Sequence, residues 1–377
     1  MKYKIAVFPG DGVGPELIAE GIKLIQKAAE LDKFEIEFMK FPHCAEYFGE
    51  TNETLPEKVL NEIKNSCSAV YCGTFDNFPM ETDLRKKNVP IILKNYFEQN
   101  ISIRPIRLLP GVESPLAGKS SREIDFVIIR ESSEDFYVGA SGKTKNGKSK
   151  NQIEIDSDIG KFKFNVETEP KGNELAYQIG VMSMKGCDRI ARYAFEYAKS
   201  KSRNKITFVD KADALGYYSF WRESIDRIAK EYPGIPYVFD YIDTAAMRFV
   251  RQPEKFEIIA APNMFGDILQ DLGTIIQGGL AFGAAGNLNP EGISMFEPVH
   301  ASAAKLKGQD IINPIATIWA GALMLEHLGE KKSGALILKS IESVLKDGRT
   351  RTQDLDGHNS TSEMGDAIAD KFTELHD

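Results

Sequence analysis

A chain of 377 residues, 42% hydrophobic and 27% charged, is long enough for about two globular domains with sizeable cores. Its formal net charge of -8, with no basic stretch interleaved with aromatics, argues against nucleic acid as a partner. Cys44, Cys67, Cys72 and Cys187 form no Cys-x-x-Cys pair and read as reduced thiols of a cytoplasmic protein; the opening apolar run is too short for a signal peptide, and the apolar stretch 315–325 is too short to span a bilayer.

In chain order, residues 4–8 form a β-rich run, followed by the turn Pro9-Gly10-Asp11-Gly12-Val13-Gly14 and then Pro15. Leu17, Ile18, Gly21, Ile22, Leu24 and Ile25 recur at helical spacing, which predicts strand, glycine turn and helix, with Pro15 in the first helical turn. Further strands are predicted at 69–72, 125–129, 205–209 and 257–261, and helices at 189–199 and 218–231. Such alternation implies a largely parallel α/β sheet. Residues 139–172 break the rhythm: a lysine- and glycine-rich tip at 142–150 precedes the alternating Lys161-Phe-Lys-Phe-Asn-Val166. The segment reads as a protruding β-hairpin, either a solvated flap or an arm that pairs with a second subunit.

After the run 257–261 stands Asn263-Met-Phe-Gly-Asp267-Ile-Leu-Gln-Asp271. On a helix Asp267 and Asp271 lie one turn apart on the same face, with Ile268, Leu269 and Leu272 pointing elsewhere. Two carboxylates held together repel unless a cation or proton sits between them, and oxygen ligands of this kind suit Mg²⁺ or Mn²⁺. An isolated Asp-x-x-x-Asp is more often a solvated helix face. Here the pair follows a buried-type strand and precedes the glycine-rich 278–286, where α/β sheets place ligands. Arg130 ends the apolar run 126–129 and Arg104 follows Ile101-Ser-Ile103, so both are expected at strand or core edges, where an arginine forks onto a substrate carboxylate; Lys94 and Tyr137 join them as a second cluster. Taken alone, each arginine reads first as half of a surface ion pair. Lys211, ending the run 206–209, is a candidate base, because a partly buried lysine near cations loses its proton more readily.

The loop at 10–14 matches neither Gly-x-Gly-x-x-Gly nor the phosphate-binding P-loop, so no Rossmann nucleotide site is supported. If a nucleotide binds, the better place runs from Glu297-Pro-Val-His300 and Lys305 to Asn313-Pro314, which offers imidazole, hydroxyl, amide and ammonium groups to a ribose and phosphates.

Six segments carry a wider resemblance: Gly10-Asp-Gly-Val-Gly-Pro-Glu16, Arg130-Glu-x-x-Glu-x-x-Tyr137, Val209-Asp-Lys211, Ile242-Asp243-x-x-Ala-Met247, Asn263-Met-Phe-Gly-Asp267-Ile-Leu-x-Asp271 and Met295-Phe-Glu-Pro-Val-His300. In this order, from Ala6 to Ile368, the chain resembles the β-decarboxylating dehydrogenases, the family of isopropylmalate, isocitrate and tartrate/D-malate dehydrogenases. Gly286-Asn-Leu-Asn-Pro-Glu291 and Leu323-Met-Leu-Glu-His-Leu-Gly329 look most like the tartrate and D-malate branch, whereas Glu134-Asp-Phe-Tyr137 and Gly278-Gly-Leu280 lean towards the isocitrate enzymes.

The resemblance implies a non-Rossmann, two-domain α/β fold. Residues 1–99 with 278–377 would form the cofactor-side domain, and 100–277 the domain of metal, substrate and dimer contacts, with an arm at about 139–172. It implies a homodimer in which Lys211 and Asp243 reach into the other subunit's site. Asp243, Asp267 and Asp271 fall to the metal, Lys94, Arg104 and Arg130 to substrate carboxylate, and Glu297, His300, Lys305, Asn313 and Asp354 to NAD or NADP. Lys211 would take the 2-hydroxyl proton and Tyr137 would protonate the carbon left by CO₂.

Departures from the family pattern narrow these expectations. Lys94 stands where arginine is usual, keeping charge but losing bidentate geometry. Asp213 replaces a usual asparagine two residues after Lys211, and Ala301 and Ala304 replace a glycine and a proline. Lys305 stands where NAD-specific members carry aspartate, which favours NADP, but Leu306 replaces a phosphate-binding tyrosine, leaving help only from Arg349 or Arg351. Asn88-Val-Pro-Ile-Ile-Leu93 lacks the Ser-x-Asn that meets a third carboxylate, so isopropylmalate or a D-malate/tartrate-like acid is expected before isocitrate or homoisocitrate. The rival of another class is a non-catalytic regulatory homologue, whose signature would be loss of the aspartates, tyrosine or base.

Overall fold

The computed structural model describes residues 2–76, 88–145, 147–157 and 160–377. Its contacts divide the chain into two units, Met1–Phe126 with Leu272–Asp377, and Val127–Asp271. In chain order the strands begin with β1 (Lys2–Gly10), β2 (Glu35–Lys40), β3 (Ala69–Thr74), β4 (Ile101–Arg107) and β5 (Asp125–Glu131). The middle of the chain gives β6 (Asp135–Thr144), β7 (Ser149–Ser157), β8 (Gly160–Thr168), β9 (Leu175–Val181), β10 (Ile206–Asp210), β11 (Tyr237–Tyr241) and β12 (Ile258–Ala261). β13 (Ala284–Leu288) and β14 (Met295–Pro298) follow.

In the first unit the strand order is β4-β13-β14-β3-β1-β2. β1 lies parallel to both neighbours, with Ile5 opposite Phe38 and Ala69. β3 is buried along its whole length, as a strand covered on both faces requires. The turn after β1 depends on Gly10 at φ 81, where a Cβ would lie 1.9 Å from the Thr74 carbonyl oxygen. Helix Gly14–Asp32 then starts with proline in its first turn and buries Leu17, Ile18, Leu24 and Ile25. The apolar stretch near 315 is a core helix, Ile315–Leu328, buried on all sides from Ile315 to Ala322. Each large side chain there contributes about 1.5–3 kcal/mol by leaving water. Among the described residues no helix is long and apolar enough to cross a membrane.

The boundaries differ from the sequence expectation of 99/100 and 277/278. The first crossing falls at Phe126/Val127, because β4 pairs antiparallel with β13, Ile103 opposite Gly286, and so stays with the first unit. The second falls at Asp271/Leu272, inside helix Asn263–Ile276.

In the second unit β11-β10-β12-β5 are all parallel. Helices Met184–Lys201 and Ser219–Ala229 bury Ile190, Phe195, Trp221 and Ile225. The irregular segment proves larger than 139–172. β6 pairs with β9 and β7 with β8, two antiparallel ladders that extend from Asp135 to Val181. The lysine-rich stretch is not the hairpin tip but the corner between β6 and β7; the β7–β8 turn, like Asn146, lies outside the described residues. Alternation puts Ile153, Ile155, Phe162 and Phe164 on one face, packed with Val138, Ala140, Ile179 and Val181.

Candidate active site

Parallel pairing builds the centre of the second unit. β12 lies beside β5 with Ala261 opposite Arg130, and helix Asn263–Ile276 starts two residues later. Arg130 therefore meets the first turns of that helix. Its Nε donates to Asn263 Oδ1 at 2.8 Å, and its Nη1 pairs with Asp267 Oδ1. The other oxygen, Asp267 Oδ2, accepts the Tyr137 hydroxyl at 2.8 Å, and the guanidinium lies 5.4 Å from the Tyr137 ring centroid. Close approach needs Gly266, where a Cβ would stand 2.7 Å from Arg130 Cβ and Cγ. Partial burial, then the bond to Asp267, push the Tyr137 pKa up to about 12. Asp271 follows one turn later and is exposed.

Lys211, Asp243, Asp267 and Asp271 all belong to this unit, yet among the described residues no three His, Cys, Asp or Glu side chains gather to hold a metal. Asp243 instead pairs with Lys211 Nζ, which also reaches Asp213 Oδ2 at 3.1 Å. This corrects the expectation that Lys211 sits near cations and loses its proton readily. Its contact with Asp243, then that with Asp213, raise its proton affinity. The sequence reading also missed how the end of β10 is fixed. Asp210 is fully buried and accepts Arg222 Nε and Nη2 at 2.7 and 2.9 Å, and the Ala212 N–H at 2.9 Å. The signal was present as an aspartate closing the apolar run 206–209, a residue type buried only when paired.

Lys94 and Arg104 lie in the first unit, so the second cluster expected from sequence divides between the units. Lys94 Nζ stands 3.1 Å from Glu297 Oε1, which also accepts Asn287 Nδ2 at 2.7 Å. Arg104 is buried on β4, with Nη1 3.4 Å from Thr274 Oγ1.

The residues assigned to cofactor separate as well. A cavity of about 340 Å³ in the first unit is lined by Ala281, His300, Ile311, Ile312, Asn313, Gln353 and Asp354. Asn313 Nδ2 donates to Asp354 Oδ2 at 3.0 Å, and the Thr352 hydroxyl donates to Asp354 Oδ1 at 2.5 Å. His300 Nδ1 lies 3.1 Å from the Ala301 carbonyl, while its buried Nε2 has no partner among the described residues. Burial lowers its proton affinity. The imidazole is therefore assigned as neutral, with Nδ1–H donating and Nε2 left as an acceptor. An orphaned acceptor beside a carboxylate and an apolar wall of two isoleucines fits a nucleoside with donor groups. Lys305 is exposed on the turn Ala304–Leu306, and Glu297 sits with Lys94 rather than in the cavity lining. Arg349 is turned to Asp347, and Arg351 donates to the Leu355 and Gly111 carbonyls.

An α/β fold carrying a carboxylate, guanidinium and phenol cluster, with a separate nucleoside-sized cavity, defines a cofactor-using enzyme acting on an anionic small molecule. The chain belongs to the isocitrate/isopropylmalate dehydrogenase family, whose profile it matches over residues 4–368. It is 37% identical to the D-malate dehydrogenase [decarboxylating] of Escherichia coli (strain K12), over 97% of each chain. It is 34% identical to the tartrate dehydrogenase/decarboxylase of Pseudomonas putida, covering 99% of this chain and 98% of that one, and to the 3-isopropylmalate dehydrogenase of Thermobifida fusca (strain YX), covering 98% of each. The crystal structure of isocitrate dehydrogenase from Methylococcus capsulatus superposes with a TM-score of 0.82 at 30% identity, covering 98% of this chain and 99% of that chain. The protein is a decarboxylating dehydrogenase, and the regulatory-homologue alternative falls away.

Proposed function

We propose that the protein oxidises and decarboxylates a 2-hydroxy dicarboxylate of the D-malate, tartrate or 3-isopropylmalate kind, using NAD or NADP and Mg²⁺ or Mn²⁺, as its family uses NAD(P) and a divalent metal. The observation that carries this reading is Asp267 shared between Arg130 and Tyr137. The contact supports reading Arg130 as anion binder, Tyr137 as proton donor and Asp267 as a hard oxygen ligand.

Asp267 and Asp271 of one copy, with Asp243 of a second, would supply an all-oxygen donor set of the kind a hard divalent cation takes. When bound, the ion would supply Lewis acidity and the nicotinamide would supply the hydride acceptor. Arg130, Arg104 and Lys94 bind and orient the carboxylates. Lys211 takes the 2-hydroxyl proton, directly or through water, after its ion pairs with Asp213 and Asp243 have opened and its ammonium has released a proton to solvent. Tyr137 still holds its proton at neutral pH and delivers it to the carbon from which CO₂ has departed. His300, Asn313 and Asp354 receive the adenosine portion in the 340 Å³ cavity. Lys305 adds one solvated cation for a 2′-phosphate, and with Arg349 and Arg351 engaged elsewhere, this supports use of both cofactors with a modest bias.

Met247, Val250 and Ile268, on helices Ile242–Arg251 and Asn263–Ile276 of the second unit, are large apolar side chains exposed at 60%, 52% and 56%, and this exposure supports a homodimer sharing Lys211 and Asp243 between copies. The second unit is then the dimerisation and metal domain, and the first the cofactor-side domain. The four free thiols support a cytoplasmic location. Isocitrate and homoisocitrate rank second, because Lys94 is already compensated by Glu297.

The test is a panel of D-malate, tartrate, isopropylmalate, isocitrate and homoisocitrate with both cofactors, before and after exhaustive chelation. Metal-dependent turnover of a dicarboxylate is expected. Undiminished activity in metal-free buffer, or turnover of the tricarboxylates alone, would refute the reading.

A further inference from the structure

From Ala301 to Lys305 the chain is exposed except at Ser302, which is 1% exposed. That residue ties the loop to the turn after β1, within the first unit. The Val13 N–H donates to the Ser302 carbonyl at 2.9 Å, and a Cβ at Gly12 would stand 2.3 Å from the same oxygen, so turn and loop lie in direct contact. The Ser302 hydroxyl donates to Asp76 Oδ1, and the Asp76 N–H donates in turn to Asp11 Oδ2 at 3.1 Å. Asp11 is buried and also accepts the Ala45 and Glu46 N–H groups, at 3.1 and 2.9 Å. The carboxylate that holds Ser302 is therefore itself fixed. The next residue, Ala303, has φ 45, in the left-handed region that a side chain with a Cβ disfavours. Such a conformation persists only where its surroundings enforce it.

We propose that Ser302 is a positioning residue for the cofactor: anchored by Asp76, it holds Ala303 left-handed and so fixes His300 and Lys305, which flank it, where the cofactor meets them. The inference rests on His300 and Lys305 being cofactor contacts, as read above. The serine hydroxyl is committed to a carboxylate, a charge-assisted bond of the stronger kind, so its part in binding is indirect. Without it, Ala303 relaxes towards the conformations a Cβ favours, and the chain between His300 and Lys305 changes course. Part of the binding free energy then goes into restoring the bound shape.

The experiment measures Kd for NADH and for NADPH by fluorescence titration, with melting temperature alongside, on full-length protein. The variants are Ser302→Ala, Asp76→Ala, Asp76→Asn, Ala303→Gly and the Ser302→Ala/Ala303→Gly double variant, with His300→Ala as the reference for a direct contact. Ser302→Ala and Asp76→Ala are each expected to raise Kd for the tighter cofactor by about tenfold, the loss of one hydrogen bond to a charged group. Asp76→Asn keeps an oxygen for the serine hydroxyl and should stay within about twofold of the parent. Ala303→Gly alone should leave Kd where it was, because the tether already holds the loop. In the Ser302→Ala background it should recover about threefold, because glycine enters the left-handed region without a steric penalty. A serine that only stabilises the fold would lower melting temperature with Kd unchanged, and one that touches the cofactor itself would gain nothing from Ala303→Gly; either result overturns the proposal. Should Ser302→Ala not fold, Asp76→Ala decides, and an unchanged Kd there overturns it as well. An unchanged Kd in His300→Ala overturns the reading of the cofactor site instead.

Discussion

Glu134 is 2% exposed and sits at the start of helix Met184–Lys201, where its two oxygens accept the Ser183 N–H and the Ser183 hydroxyl, each at 2.6 Å. Burial, and then the neighbouring Glu131 carboxylate, push its pKa from the ordinary 4.5 up to about 7, although the Ser183 contacts pull the other way. A folded-state value above the unfolded one means that the folded protein holds the proton more tightly. The resulting stability is complete below pH 4.5 and is lost as pH rises through about 7. The interval between the two values, at about 1.36 kcal/mol per pH unit, amounts to roughly 3 kcal/mol. Glu134→Gln keeps an oxygen for the Ser183 N–H and offers its amide to the Ser183 oxygen, but it cannot titrate. Urea denaturation of parent and variant, repeated from about pH 4.5 to about pH 8.5, should show the parent losing roughly 3 kcal/mol relative to glutamine across that range. A constant difference at every pH would refute the argument, since it would mean that Glu134 titrates alike in the folded and unfolded chain.

Three further outcomes follow from the site. Gly266→Ala puts a methyl 2.7 Å from Arg130 Cβ and Cγ, atoms too near the backbone to swing aside, so Arg130 should leave Asp267 and KM for the hydroxy acid should rise by about tenfold while KM for the cofactor holds; an unchanged substrate KM would show that Arg130 does not bind it. Mixing Tyr137→Phe with Lys211→Met protein should restore activity to hybrid dimers, and failure despite proven subunit exchange would mean that each site is built from one chain. Lys305→Asp should shift the kcat/KM ratio of NADP to NAD several-fold towards NAD, because an exposed ammonium and phosphate attract weakly and an aspartate repels; an unmoved ratio would leave Lys305 a solvated surface residue.

What could be read from the sequence was what lies close in the chain or repeats a regular period. The strand, glycine turn and helix of residues 2–32, the run of buried parallel strands, and the helix carrying Asp267 and Asp271 follow from side-chain spacing alone. Arg130 was placed at a strand end because four apolar residues precede it, and the structure puts it there. Its contact with Asp267 was not legible, because it depends on β12 pairing with β5 rather than with another strand. The antiparallel segment was found but its corners were misplaced, since a polar lysine-rich stretch looks alike as a tip or as a bend between strands.

The electrostatic errors have a single physical origin. Lys211 was read as a partly buried lysine near cations, but the parallel pairing of β10 with β11 puts Asp210 opposite Tyr241, so the chain just beyond each strand end brings Lys211 to Asp243. Lys94 was read as one cation of a cluster with Arg104 and Arg130, yet β14 and β13 deliver Glu297 and Asn287 to it from the far end of the chain. In both places the charge of a lysine is set by a strand neighbour that no local pattern names. A substitution that seems conservative at such a position, lysine for arginine at residue 94, is therefore a change in a pair: the single ammonium can be held by one carboxylate oxygen, whereas a guanidinium would keep a second edge free for substrate. Restoring arginine at Lys94 should then raise affinity for every carboxylate substrate alike if Glu297 takes only one edge. If affinity falls instead, the compensated ammonium is itself what the site requires.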